Sequence, residues 1–265
     1  MSELATLSHI THDNLVHLIG GCVDGPRRML VYEYMDNGNL AQNLLDNKTT
    51  LLSSWEVRKG IALGIAAGLA YLHEEIHPRI VHRDIKPTNI LLDLDLRPKI
   101  SDFGLSKFFP DDITHITTRV AGTFFGALLL EIVSGKKVVD FDQTLGEQYF
   151  LVERAWKLYK SDRLVQLVDP VLMKDDGNVE EAERFLRVAL LCLQQKSILR
   201  PTMSAALKMM NATTASDEGG GVVVEIMEPG LIGDFMAVKI GRRQQDNKQQ
   251  SSTTTTTTEG AASVL

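Results

Sequence analysis

The chain has 265 residues, of which 44% are apolar and 23% are charged, as in an ordinary globular protein of one large or two small domains. A net charge of −6 argues against a broad attraction to nucleic acid. Two cysteines, Cys22 and Cys192, match no metal-ligand spacing and suit a reduced compartment. The first residues lack a secretory signal, and the longest apolar run, residues 61–72, is shorter than the roughly 20 residues that span a bilayer. We therefore expect a cytosolic chain without a transmembrane segment.

The first part of the chain predicts one helix and two strands. Apolar residues recur at helical spacing over residues 1–10. Two apolar runs, at 15–19 and 29–32, read as strands that are joined by a turn containing Gly, Asp and Pro.

A long helix is predicted next. Ser53-Ser54-Trp55-Glu56 has the pattern of a capping box, and the helical pattern ends near His73. Glycine recurs at every fourth position, at Gly60, Gly64 and Gly68. Because glycine has no side chain, this face can approach a neighbour closely. Charged residues bracket the segment, so we expect a buried helix of a helical domain and not a membrane helix.

The most informative polar residues lie between 82 and 104, among short apolar strands. His82-Arg83-Asp84 is followed by Asn89, five residues after Asp84, and by Asp102-Phe103-Gly104, thirteen residues after Asn89. Taken singly, these could be turn and cap residues. In this order and spacing, together with Lys86, they match the catalytic-loop and metal-binding motifs of protein kinases.

Phosphoryl transfer to a hydroxyl depends mainly on positioning and charge neutralisation. Asp84 is the candidate to accept the hydrogen bond of the attacking hydroxyl, and Lys86 is the candidate to contact the transferring phosphate. Asn89 and Asp102 supply amide and carboxylate oxygens, the ligands that Mg²⁺ prefers. The predicted cofactors are therefore ATP and Mg²⁺.

A loop is predicted over residues 105–123, and helices fill most of the chain from there to residue 211. The helical patterns cover 125–134, 147–160, 179–194 and 201–211. From residue 212 to 265 the sequence is small, polar and repetitive, with six consecutive threonines at 253–258. Such a sequence cannot bury a core, so we expect a largely disordered tail.

Several further stretches resemble the plant receptor-like serine/threonine kinases. They lie at residues 12–16, 30–35, 68–73, 100–105, 118–123 and 129–135. Residues 229–236 are also similar to the cytoplasmic cold-responsive protein kinases. The resemblance extends over about residues 1–240. It implies an α+β, protein-kinase-like bilobal fold. The small lobe would be incomplete over residues 1–35, with helix C and a few antiparallel strands, and the mainly helical large lobe would cover 36–211.

The resemblance also implies roles for individual residues. Tyr32 falls at the gatekeeper position, and Glu33 and Met35 fall in the hinge, whose backbone groups bind adenine above Leu91. The remaining positions are regulatory: the helix-C glutamate Glu3, the phosphate-receiving Arg83, and the threonines of the activation segment, Thr114, Thr117, Thr118 and Thr123. The first three threonines are candidate phosphate acceptors, with a solvated loop as the alternative for each. Lys86 and Thr123 suit serine/threonine specificity.

Two departures from the family pattern limit these expectations. The sequence begins at the helix-C position, without the preceding Gly-rich loop and lysine. A permuted loop at Gly219-Gly220-Gly221 is disfavoured, because only two of the three motif glycines fit. Thr123 runs directly into Phe124, so the Ala-Pro-Glu segment and about twenty residues are absent relative to the family. Arg200, whose family partner is that glutamate, is expected to be an unpaired cation.

Two functions therefore stay open. One is a serine/threonine protein kinase that transfers the ATP γ-phosphate to protein hydroxyls. The other is a pseudokinase-like interaction module that competes with a full-length kinase or receptor partner, or a fragmentary gene product. The expected location is the cytoplasm, at the plasma membrane where a partner brings the chain there.

Overall fold

The computed structural model describes residues 10–46, 50–109, 116–142, 147–174, 178–212 and 225–230. The chain divides into two units, Met1–Pro229 and Gly230–Leu265. Apart from Gly230, all described residues belong to the first unit. The predicted helix over residues 1–10, with Glu3, lies almost entirely outside the described residues, as does Thr114.

Helices and short antiparallel sheets make up the described part of the chain. The α-helices are α1 (Trp55–Ala70), α2 (Ile116–Ser134), α3 (Leu151–Lys160), α4 (Val179–Leu193) and α5 (Met203–Asn211). The paired strands are β1 (Leu18–Asp24) with β2 (Arg27–Tyr32), β3 (Arg79–Val81) with β6 (Lys107–Phe109), β4 (Ile90–Leu92) with β5 (Pro98–Ile100), and β7 (Val139–Asp142) with β8 (Glu147–Phe150). Single turns of 3₁₀ or π helix lie at Gln42–Asp46, Thr50–Leu52, Tyr71–Glu75, Pro87–Asn89, Phe103–Leu105, Leu164–Leu167, Pro170–Lys174 and Ser197–Leu199.

Helix α1 confirms the long helix, although the predicted capping box is wrong. Ser54 is the N-cap and makes no side-chain capping hydrogen bond. The Ser53 hydroxyl instead donates to the Thr50 carbonyl at 2.7 Å. This carbonyl belongs to the 3₁₀ turn Thr50–Leu52, which precedes α1. At its other end, α1 passes directly into the π-helical turn Tyr71–Glu75.

The glycine face of α1 contacts the β4–β5 sheet. A Cβ on Gly64 would lie 2.6 Å from the Pro98 Cγ, and one on Gly68 would lie 3.1 Å from the Ile100 Cδ1. Gly60 has open space at the same position. The predicted close approach is thus confirmed at two of the three glycines. Because of this close approach, β5 packs directly against α1, and Asp102 follows two residues after β5 ends.

Helix α2 begins at Ile116 and continues without a break through the Thr123–Phe124 junction. The loop predicted over 105–123 is therefore wrong at residues 107–109, which form β6, and from Ile116 onward. The buried second half of α2 explains the extension. A Cβ on Gly126 would lie 2.8 Å from the Ala189 carbonyl oxygen of α4. Once this packed half is helical, each preceding residue adds one hydrogen bond at little nucleation cost.

One predicted helix is shorter than expected. Residues 147–150 form β8, and α3 begins only at Leu151. The pairing of Val139 with Phe150 supplies the reason, because β8 bonds to a strand that a local helical pattern does not reveal. Among the described residues, no helix combines the length and apolar character needed to cross a membrane.

Candidate active site

The candidate catalytic loop, residues 82–89, connects β3 to β4. It ends in the 3₁₀ turn Pro87–Asn89, whose first residue is the proline favoured at such a start. β3 pairs with β6 and β4 pairs with β5, so both ends of the loop are anchored by strand pairing. The residues that follow β5 and precede β6 include Asp102. The topology therefore brings the two predicted motifs to the same region.

Three candidate residues form one hydrogen-bonded cluster. Lys86 Nζ donates to Asp84 Oδ2 at 2.5 Å, and Asn89 Nδ2 donates to the same oxygen at 2.9 Å. Asn89 Nδ2 also donates to the Asp84 carbonyl oxygen at 2.9 Å. These contacts fix the rotamer of the Asp84 carboxylate. They also direct the Asn89 nitrogen toward Asp84, which leaves its amide oxygen to face elsewhere.

The loop is tied to the segment that carries Asp102. Both the backbone N–H and the hydroxyl of Ser101 donate to the Asn89 carbonyl, at 2.9 and 3.0 Å. Arg83 Nε donates to the Leu105 carbonyl at 2.6 Å. The His82 ring meets the Phe103 ring edge to face at 4.8 Å. Both motifs therefore belong to one packed unit.

His82 is a buried, neutral linker in this unit. The Asp84 backbone N–H donates to His82 Nδ1 at 3.3 Å, so the ring proton is on Nε2, which donates to the Ser101 carbonyl at 3.0 Å. Burial lowers the pKa of His82 to about 4, against the opposing effects of this hydrogen bond and of the Asp84 and Asp102 charges. Because the charges of Asp84 and Asp102 both act on the pKa of His82, the two candidate carboxylates lie near the same imidazole ring.

Two non-glycine residues of this region have left-handed backbone conformations. Arg83 has a φ of 67° and Asp102 a φ of 64°. Each such conformation costs on the order of 1–3 kcal/mol and persists only where the surroundings enforce it. Asp102 is exposed, and its Oδ1 accepts the Gly104 N–H at 3.3 Å. Its carboxylate is thus held at the surface by its own turn.

The predicted adenine-binding residues are linked by a lysine that sequence reasoning missed. Leu91 pairs with Lys99 across β4 and β5, and Lys99 Nζ lies 2.9 Å from Glu33 Oε1. The Glu33 N–H donates to the His17 carbonyl at 3.1 Å, and the Met35 carbonyl accepts the Gly38 N–H at 3.2 Å. These two backbone groups of the predicted hinge are thus engaged within the chain. In the sequence, the only indication of this contact is that Lys99, two residues before Ser101, carries a charge opposite to that of Glu33.

The predicted regulatory threonines have different surroundings. Thr117 and Thr118 belong to the backbone of α2. Thr123 is only 3% exposed, and its Oγ1 accepts a hydrogen bond from Arg200 Nη1 at 2.6 Å. The acceptor and specificity roles of these residues stay predictions.

The expectation of an unpaired Arg200 is wrong. Besides Thr123, its guanidinium binds two backbone carbonyls: Nε donates to that of Gln194 at 2.6 Å, and Nη2 donates to that of Gln195 at 3.2 Å. The prediction considered only a carboxylate partner. Carbonyl groups at a helix end also accept hydrogen bonds from a guanidinium, but their positions depend on the fold and not on residue type.

Comparison with known proteins supports a kinase assignment for this fold. A model of the protein kinase domain matches residues 1–127. Cold-responsive protein kinase 1 of Arabidopsis thaliana is 42% identical over 91% of this chain and 66% of its own length. A probable LRR receptor-like serine/threonine-protein kinase of the same plant is 43% identical over 89% of this chain and 24% of its own length.

A solved structure shows the same fold. The pseudokinase domain of BIR2, described as an immune regulator of the RLK/Pelle family, matches with a TM-score of 0.66 and 30% identity. The match covers 78% of this chain and 67% of that structure. The architecture is accordingly a partial protein-kinase fold, α+β, with a mainly helical large lobe. The chain belongs to the plant receptor-like family of protein kinases. It spans less than two thirds of the length of the two Arabidopsis kinases named above.

Proposed function

We propose that this chain carries the phosphoryl-transfer site of a serine/threonine protein kinase, with ATP and a protein hydroxyl as substrates. The convergence of Lys86 and Asn89 on one carboxylate oxygen of Asp84 carries the proposal. A turn residue at the surface does not need two charged or amide donors on the same oxygen. A carboxylate that must orient a nucleophile does need a fixed rotamer.

Each member of the cluster has a distinct proposed role. Asp84 accepts the hydrogen bond of the substrate hydroxyl and so aims its oxygen at the phosphorus. Lys86, which contacts Asp84 through Nζ, contributes positive charge beside the transferring phosphate. Leu91 and the hinge residues Glu33 and Met35 are proposed to contact the adenine. Arg83 is proposed to receive a phosphate on Thr114, Thr117 or Thr118.

The donor chemistry fits Mg²⁺. Asn89 and Asp102 present an amide oxygen and a carboxylate, and the Asn89 nitrogen is already committed to Asp84. Among the described residues, no group of three or more His, Cys, Asp or Glu is arranged to bind a metal. Two oxygen ligands suit Mg²⁺, which usually keeps several waters and substrate phosphate oxygens in its shell. When bound, Mg²⁺ neutralises phosphate charge during transfer.

A second candidate function is a binding module that holds nucleotide or a partner without transferring phosphate. The continuity of α2 across Thr123 and Phe124 favours this candidate. In the family, the segment that is absent at this junction builds the platform for a substrate peptide. The similarity to a pseudokinase domain points in the same direction. In either case, we propose a cytoplasmic chain whose partners are protein substrates, a full-length kinase or a receptor.

One experiment with two readouts separates the candidates. The first readout is Mg²⁺-dependent transfer of labelled phosphate from ATP to Ser- and Thr-containing peptides, and the second is the thermal shift that ATP with Mg²⁺ produces. We expect D84N to abolish transfer and D102N to abolish the Mg²⁺-dependent part of the shift. D95N, at an exposed carboxylate of the β4–β5 turn, should change neither.

The outcomes have distinct meanings. Transfer by the parent chain that D84N removes supports the kinase, whereas a Mg²⁺-dependent shift without transfer supports the binding module. If the folded parent shows neither transfer nor a shift, the kinase and the nucleotide-binding form of the module both fail, because no nucleotide site is present.

A further inference from the structure

The loop that follows α4 contacts a distant extended segment, residues 225–229. The Met227 N–H donates to Gln194 Oε1 at 3.0 Å, and the Gln195 N–H donates to the Glu228 carbonyl at 3.0 Å. Gln194 and Pro229 also form an antiparallel β-bridge. These are backbone-directed contacts of the kind by which an extended peptide adds to a sheet edge. We refer to the part of the lobe that receives this segment, around Gln194 and Gln195, as the groove.

The groove is held in place by large-lobe contacts. Gln194 is 1% exposed, and its Nε2 donates to the carbonyls of Leu191 and Leu199 at 3.2 and 3.1 Å. Both amide protons are thereby committed to the lobe, and Oε1 is directed at the segment. Arg200 binds the carbonyls of Gln194 and Gln195 from the other side. The acceptor and donor that meet the peptide are thus preorganised.

The side chains of the segment divide into anchors and exposed positions. Ile226 is 7% exposed and Pro229 is buried, whereas Met227 is 42% exposed and Glu228 is exposed. The buried positions of the segment are thus an apolar residue and a proline three positions later. Proline suits the last position, because it fixes φ near an extended value and its missing N–H is not needed there.

We propose that this groove is a docking site for extended Ile-x-x-Pro peptides, which residues 225–229 of the chain occupy in cis. The site is separate from the Asp84 cluster and does not depend on the proposed activity. It is connected to Thr123, because Arg200 binds both the groove carbonyls and the Thr123 hydroxyl. A partner with the same pattern would compete with the chain's own segment.

Amide hydrogen exchange of the full chain tests the docking. The Gln195 N–H, which donates to the Glu228 carbonyl, reports occupancy from the lobe side. I226S removes the apolar anchor, and we expect it to speed exchange at Gln195 by about 10- to 100-fold, the equivalent of losing a buried aliphatic side chain. E228Q is the control, because it alters an exposed side chain and keeps the carbonyl. Equal rates in all three chains, or an unprotected Gln195 in the parent, would overturn the proposal.

Competition in trans tests the specificity. A synthetic peptide with the sequence of residues 225–230, added in millimolar excess to folded I226S, should restore slow exchange at Gln195. The same peptide with serine in place of Ile226 should not. If the natural peptide leaves exchange at Gln195 fast, the groove does not accept a peptide in trans and the proposal fails. If I226S does not fold, E228Q and the parent still decide whether Gln195 is protected.

Discussion

Acidification is expected to destabilise this protein through a histidine in its core. His73 lies in the π-helical turn after α1, is 1% exposed, and has no hydrogen-bond partner for either ring nitrogen among the described residues. Burial, and to a lesser extent the charge of nearby His82, lowers the pKa of His73 from 6.5 to about 3. The imidazole is therefore neutral in the folded chain over the whole physiological range.

The direction of the change in stability follows from the pH at which the folded and the unfolded chain each bind the proton. Below pH 6.5 the unfolded chain takes up a proton on this imidazole, but the folded chain does so only near pH 3. The free energy of unfolding is highest above pH 6.5, where His73 is neutral in both states, and it falls as the pH decreases from 6.5 toward 3. At pH 5 the loss is about 2 kcal/mol for His73. It is about 4 kcal/mol when His82, whose pKa is lowered to about 4, is included.

Replacement of His73 by leucine isolates its share. In H73L we expect the difference in unfolding free energy between pH 7 and pH 5 to be about 2 kcal/mol smaller than in the parent. We also expect stability at pH 7 to rise by about 1–3 kcal/mol, because a buried polar group without partners is removed. Urea unfolding, followed by the fluorescence of Trp55 and Trp156, measures both quantities.

Y71F is the matched control for this experiment, because it changes the same helical turn without removing an imidazole. It should retain the pH dependence of the parent. If H73L and the parent lose the same free energy between pH 7 and pH 5, His73 is already protonated in the folded state or is accessible to water, and the reasoning from burial is refuted.

Two further stability predictions rest on single contacts. G64A should lower stability by about 1–3 kcal/mol, because its Cβ would overlap Pro98, whereas G60A in the same helix should raise it by about 0.5–1 kcal/mol through helix propensity. Equal effects of the two changes in thermal unfolding would contradict the glycine-face packing. T123V should lower stability by about 1.5–3 kcal/mol, because the buried Arg200 loses an acceptor, and T123S should retain most of it. A T123V chain as stable as T123S would show that this hydrogen bond contributes little.

The sequence predicts best those elements whose pattern is local. The apolar runs around the two motifs became β3, β4 and β5, and the glycine spacing of α1 predicted its contact with β5. The sequence pattern predicted a loop over 105–123 and helix from residue 125 onward. The structure replaces its end with helix, because the helix that follows is packed on α4 and extends backward through Thr123.

Several contacts that involve backbone groups were not predicted from the sequence. Arg200 binds two carbonyls and one hydroxyl, and residues 225–229 bind the backbone N–H of Gln195 and the side-chain amide of Gln194. The sequence shows directly which residues carry a carboxylate. Every residue carries a backbone carbonyl, so the sequence does not show which carbonyl will act as a partner. The location of a usable carbonyl follows from where α4 ends, which is a property of tertiary packing.

The two proposed functions rest on different parts of the chain. The hydrogen bonds that fix Asp84 come from its own loop, and those that fix the loop come from Ser101 and Leu105, all between β3 and β6. The Thr123–Phe124 junction lies in the continuous helix α2, where Arg200 binds Thr123. A change at the junction therefore leaves the contacts of the Asp84 cluster intact. The proposed nucleotide binding and the proposed phosphate transfer therefore do not depend on the same contacts, and for this reason the two readouts must be measured on the same chain.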